Sequence, residues 1–123
     1  MKKMIFKFLN GINDTAQNLK DAAAGENEEW SSMYKRMEKD AREEGFDKIA
    51  EFFHEVAEVE EHHEKRYLDL LKRVEDKTVF VETETGKWKC RNCGYVHEGK
   101  EAPKVCPCCL HPQAHFERLA ENY

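Results

Sequence analysis

The sequence predicts a mainly α chain with a small β module: a helical hairpin, half of a four-helix bundle completed by dimerisation, followed by a small metal-binding domain. Three observations carry this expectation. Before residue 76 the chain is rich in Glu, Lys, Ala and Met and has no proline, whereas all three prolines and all five cysteines come after it. In the first part, apolar residues recur at alternating spacings of three and four, the period of a packed helix face. The cysteines all fall between Cys90 and Cys109, and an odd number in so short a stretch reads as metal ligands rather than a disulfide framework. The shift at residue 76 therefore divides the chain into a hairpin, 1–75, and a cysteine module, 76–123.

Met4 to Leu9 is a short apolar lead-in, a candidate for helix. The first long helix is expected over Asp14 to Glu44, with a stripe of Ala16, Leu19, Ala23, Glu26, Trp30, Met33, Met37 and Ala41. Glu26 interrupts that stripe, and Glu29, three residues on, shares its flank. Gly45 can end this helix in the left-handed conformation, and Asp47 can cap the next. The second helix, 46–75, carries Ile49, Phe53, Val56, Glu60, His63, Tyr67, Leu70 and Val74 as its seam. Each helix of ~30 residues is ~45 Å long at 1.5 Å per residue. Two helices cannot enclose a core, so the hairpin needs a partner, most cheaply a second copy of itself. In the module, Thr78 to Val81 and Lys87 to Lys89 read as strands about a turn at Gly86, with Trp88, Tyr95 and Phe116 as a small aromatic core.

An ionised Glu on a bundle seam costs several kcal/mol if unpaired, so Glu26, Glu60 and His63 together call for a compensating charge. A metal ion supplies it. Glu60-x-x-His63 puts both side chains on one helical face, and dinuclear carboxylate bundles combine a Glu from each of two helices with Glu-x-x-His from each of two others. One hairpin supplies one of each, and a two-fold dimer supplies the set, with Glu29 as an extra carboxylate. These donors suit iron or manganese. Tyr34 can hydrogen-bond a ligating carboxylate. A single seam histidine is more often a hydrogen-bonded core residue, and the conjunction of the three is what favours ligation. Glu58, Glu61, His62, Glu64 and Lys65 read as a solvated face, and His54 as structural or exposed.

Cys90-x-x-Cys93 and Cys106-x-x-Cys109 form two knuckles whose four sulfurs can close a tetrahedron around Zn(II) or iron, and spacing alone does not choose between them. Gly94 and Pro107 let the backbone fold over the sulfurs. Cys108 then points away as a free thiol. With 20 basic and 25 acidic residues, net charge −5 and no basic block interleaved with aromatics, nucleic acid is a poor partner. No apolar run approaches the ~18 residues of a membrane span, and Met1 to Gly11 is too short and lysine-interrupted for a secretory leader. A soluble, cytoplasmic protein is expected.

Taken together, Ala22-Ala23-Ala24-Gly25-Glu26-Asn27-Glu28-Glu29-Trp30, Ala41-Arg42-Glu43-Glu44-Gly45-Phe46, Glu60-Glu61-His62-His63-Glu64-Lys65-Arg66, Trp88-Lys89-Cys90-Arg91-Asn92-Cys93-Gly94-Tyr95 and Cys106-Pro107-Cys108-Cys109-Leu110-His111-Pro112 resemble rubrerythrin over nearly the whole chain. The resemblance implies a ferritin-like di-iron bundle followed by a rubredoxin-like iron centre, and a peroxidase reducing hydrogen peroxide to water with electrons passed from the four-cysteine iron centre. It matches Glu26, Glu29, Glu60 and His63 to di-iron ligands and Cys90, Cys93, Cys106 and Cys109 to rubredoxin ligands, and turns the choice at the sulfurs toward iron. A family member has two preceding helices with their own Glu and Glu-x-x-His, and this sequence starts at what looks like the tail of the second. It also implies a reduced donor, a rubredoxin or an NAD(P)H-dependent reductase. The competing readings are an electron-transfer adaptor with only the rubredoxin-like centre active, and a structural zinc-ribbon protein.

Overall fold

The computed structural model describes residues 12–123, so the Met4–Leu9 lead-in lies outside the described residues. The chain divides into two compact units, one ending at Glu75 and one running from Asp76 to Tyr123.

In the first unit α1 spans Thr15–Glu28 and starts at Asp14, whose carboxylate accepts the Gln17 N–H at 2.8 Å, a cap worth about 1 kcal/mol. The expected first helix is not α-helical throughout. Glu29–Met33 forms a π turn, in which the Tyr34 N–H bonds to the Glu29 carbonyl five residues back, before α2 resumes over Tyr34–Glu43. Within and beside the widened turn Glu29, Trp30, Met33 and Tyr34 are half-buried. The predicted stripe survives this insertion, with Ala23 and Ala41 buried and its other members half-buried.

Gly45, at φ +82°, ends α2 as expected: its N–H bonds to Arg42 O and that of Phe46 to Ala41 O, the paired bonds of a Schellman motif. Asp47 does not cap α3 (Asp47–Glu75). It is the first helical residue, and the Phe46 carbonyl takes the first intrahelical bond, from Ala50; the acid acts on the helix dipole instead.

The seam of α3 differs by one position from the sequence reading. The line Ala50, Ala57, Glu64 and Leu71 packs against the first helix, whereas Ile49, His63 and Leu70 are exposed. Phe53, Glu60, Tyr67 and Val74 lie between the two lines and are half-buried. Each line has a heptad spacing, so α3 carries two adjacent stripes, one closed by the hairpin and one left open. Glu64 belongs to the closed stripe, not to a solvated face as expected.

The second unit is a three-stranded antiparallel sheet of order β2-β1-β3, with β1 Val81–Cys90, β2 Val96–Glu101 and β3 Phe116–Arg118. The expected turn at Gly86 is absent: Gly86 pairs with Gly99 inside a continuous β1, and the glycine marks the end of an irregularity between Val81 and Gly86. Trp88, Cys90, Ala102, Cys106 and Phe116 form the core, with Phe80, Tyr95 and Cys109 packed against it. Trp88 is the keystone; its indole N–H is satisfied by Gly99 O at 3.1 Å.

Candidate metal centres

The second unit brings the predicted cysteines together. Cys90 Sγ lies 3.7 Å from Cys109 Sγ, and Cys93 Sγ 3.7 Å from Cys106 Sγ. A tetrahedron with metal–sulfur bonds of ~2.3 Å has edges of about 3.8 Å, so the four donors fit a metal ion with thiolate ligands. Cys108 is exposed and outside this group.

The two knuckles are built alike. Cys90 N–H bonds to Tyr95 O and Cys106 N–H to His111 O, both at 2.8 Å; Gly94 N–H bonds to Cys90 O at 2.9 Å and Leu110 N–H to Cys106 O at 3.0 Å. The backbone N–H of His111 and the Asn92 side chain hold the Cys109 thiol down at about 5. Cys93 receives a matching bond from the Tyr95 N–H, but its desolvation and the crowding of the other three sulfurs push it up. The residue after each second cysteine takes the left-handed conformation, Gly94 at φ +81° and Leu110 at +61°. Sequence reasoning credited Pro107 and missed Leu110, because nothing marks a leucine as left-handed except its register with Gly94. That conformation costs Leu110 roughly 1 kcal/mol, and its side chain is 77% exposed, so little packing opposes a change. Leu110→Gly is therefore expected to raise the melting temperature of this unit by a few degrees with its metal spectrum unchanged, as calorimetry with absorbance will show.

In the first unit the second donor group is Glu26, Glu60 and His63, with one ligand atom of each within 4.8 Å of the others. His63 Nδ1 lies 2.7 Å from Glu60 Oε2 and 3.8 Å from Glu26 Oε1. The carboxylates are 17% and 15% exposed and the imidazole 50%, so the acids sit in the hairpin and the histidine at its open edge. Burial raises the Glu26 pKa, the charges of Glu60 and Glu29 add to the rise, and His63 partly offsets it. Two half-buried acids beside one imidazole leave excess negative charge, the setting in which a cation is stabilised. Oxygen and nitrogen donors fit iron or manganese. Glu29, half-buried in the π turn, acts on Glu26 and Tyr34 through its charge but is not one of the three donors that meet. Burial raises the Tyr34 pKa, and the charges of Glu60, Glu29 and Glu26 add to it. His54 pairs instead with Glu38 and Glu58.

A helical unit in which carboxylates and an imidazole meet, followed by a rubredoxin-type four-sulfur unit, defines a protein with two candidate metal centres. Residues 2–83 match the family described as Rubrerythrin, and residues 88–117 match that described as Rubrerythrin, rubredoxin-like domain. The chain belongs to the rubrerythrin family. It is 51% identical to rubrerythrin of Porphyromonas gingivalis, over 98% of this chain and 67% of that protein, and 55% identical to rubrerythrin-1 of Clostridium acetobutylicum, over 91% and 57%. Among solved structures it is similar to nigerythrin in a partially reduced state, with TM-score 0.51 and 29% identity over 89% of this chain and 52% of that one. The chain thus spans between about half and two thirds of the proteins it resembles.

Proposed function

We propose that two hairpins associate through their open faces into a four-helix bundle, that the paired Glu26, Glu60 and His63 hold a di-iron site there, and that the protein reduces hydrogen peroxide to water. The observation that carries this reading is the donor triad, Glu26 from α1 with Glu60 and His63 from α3, beside an apolar and uncovered face of α3: Ile49 is 48% exposed, Phe52 61%, Val59 50% and Leu70 42%. These exposed apolar side chains border half of a dinuclear ligand set. A two-fold axis supplies the other half together with the missing apolar cover. Glu29 is the reserve carboxylate of this site, and Tyr34 hydrogen-bonds a ligating acid.

Reduction of one peroxide consumes two electrons and two protons and yields two waters. Glu26, Glu60 and His63 would hold the iron that supplies two electrons to the O–O bond, and Cys90, Cys93, Cys106 and Cys109 would hold the iron that replaces them from a rubredoxin or an NAD(P)H-dependent reductase. The protein's own part is placement and protons. The Tyr34 hydroxyl, whose pKa is raised by burial and by the charges of Glu60, Glu29 and Glu26, keeps its proton at neutral pH and is the group that can donate one at this site. Both four-sulfur units of a dimer together carry one turnover's electrons. Among the described residues no helix is long and apolar enough to cross a membrane, and thiolate ligation suits a reducing cytoplasm.

The test is anaerobic reduction followed by peroxide: stoichiometric return of the thiolate-to-iron colour supports the reading, and a protein that stays reduced overturns it. Sedimentation at micromolar concentration is expected to show a dimer. A monodisperse monomer removes the shared site.

A further inference from the structure

Glu64 follows His63 directly and lies one helical turn beyond Glu60, on the stripe of α3 that faces the first helix. Its carboxylate accepts a 2.6 Å bond from the Trp30 indole N–H and contacts of 3.1 and 3.2 Å from the Asn27 amide. Asn27 follows Glu26, and Trp30 lies in the π turn directly after Glu29. One anion thus ties the turn that carries Glu26 to the turn that carries Glu60 and His63. Charge-assisted bonds of this kind are roughly twice as strong as neutral ones, and the indole N–H, a donor only, has no other role to serve. The same bonds occupy most of the acceptor capacity of Glu64, and it is not among the donors that meet around His63.

We propose that Glu64, bound by Trp30 and Asn27, is a positioning residue that sets the separation between Glu26 and the Glu60–His63 pair and is itself withheld from the metal. The assignment rests on metal binding at Glu26, Glu60 and His63. Partners that orient metal ligands change affinity by 10–100-fold when removed, so a measurable effect is expected without loss of the fold.

Co(II) titration of the full chain tests this, read by its thiolate charge-transfer bands at the sulfurs and its weaker ligand-field bands at the carboxylates. Glu64→Gln and Trp30→Phe are each expected to weaken the carboxylate-bound Co(II) by about tenfold and to shift its ligand-field bands, leaving the thiolate bands unchanged. The double variant is expected to be no worse than the more affected single one, because Glu64→Gln weakens the same charge-assisted bond that Trp30→Phe removes. A clamp that serves stability alone would lower the melting temperature of the metal-free protein and leave the affinity and bands unmoved, and that result, or losses that simply add, overturns the proposal. Asn27→Ala, which keeps the indole bond, is expected to show a smaller loss and decides the matter if Glu64→Gln does not fold. Wild-type protein that takes up Co(II) only at sulfur overturns the carboxylate metal site together with the clamp. Tight wild-type binding matched by every variant overturns the clamp alone.

Discussion

His63→Ala is expected to abolish peroxide-dependent reoxidation of the reduced protein, slowing it by ~100-fold or more, while the spectrum of the four-sulfur centre stays intact. His63 is the sole imidazole in the donor group, and its Nδ1 lies within 4 Å of carboxylate oxygens from both Glu60 and Glu26. In a two-fold bundle a single substitution removes a ligand from both metal positions at once, so no undamaged position remains. Half of the imidazole side chain is exposed, so truncation costs little packing and the fold is expected to survive. Metal analysis gives an independent reading. Two hairpins that share one dinuclear site hold about two irons per chain when the sulfur centre is counted, and His63→Ala should fall to about one. A rubredoxin-only adaptor holds about one in the wild type already. Wild-type protein with one iron per chain, joined to a variant that reoxidises equally fast, ends the di-iron reading.

The parts of this structure legible in the sequence are those fixed by periodicity and by chemistry that has few solutions. Alternating spacings of three and four located both helices, and Gly45 located their turn, because only a left-handed residue closes the Schellman bonds seen there. Cys-x2-Cys twice fixes a sulfur tetrahedron almost regardless of context. The misreadings arise where two solutions share one pattern. On α3 the stripes through Ile49 and through Ala50 obey the same heptad and share Phe53, Glu60, Tyr67 and Val74. Large apolar side chains drew the assignment to the open stripe, whereas small ones, Ala50 and Ala57, let the two helices approach. The charge of Glu64 then hid its place on the closed stripe, since only the partners across the hairpin, Trp30 and Asn27, make its burial tolerable. The π turn is a tertiary choice with no residue of its own to announce it. Gly86 read as a hairpin turn because glycine serves bends and bulged strands alike.

The four-sulfur centre separates two cysteines that adjoin in sequence. Cys109→Ser is expected to abolish or strongly shift the thiolate-to-iron colour, whereas Cys108→Ser leaves it unchanged. The distinction follows from the fold of the second knuckle. Cys109 Sγ lies 3.7 Å from Cys90 Sγ and receives the His111 N–H, which with the Asn92 side chain holds its pKa at about 5, while Cys108 is exposed and outside the donor group. A serine at 109 presents a hydroxyl that stays protonated at neutral pH, so one of four anionic ligands is lost and the remaining three leave a position open to water. A serine at 108 changes only a surface thiol. Absorbance of the oxidised proteins, with iron per chain measured on the same samples, checks both variants. Loss of colour in Cys108→Ser with retention in Cys109→Ser would show that the knuckle closes through the other sulfur, and that the backbone bonds from His111 and to Cys106 are not those of the metal-bound state.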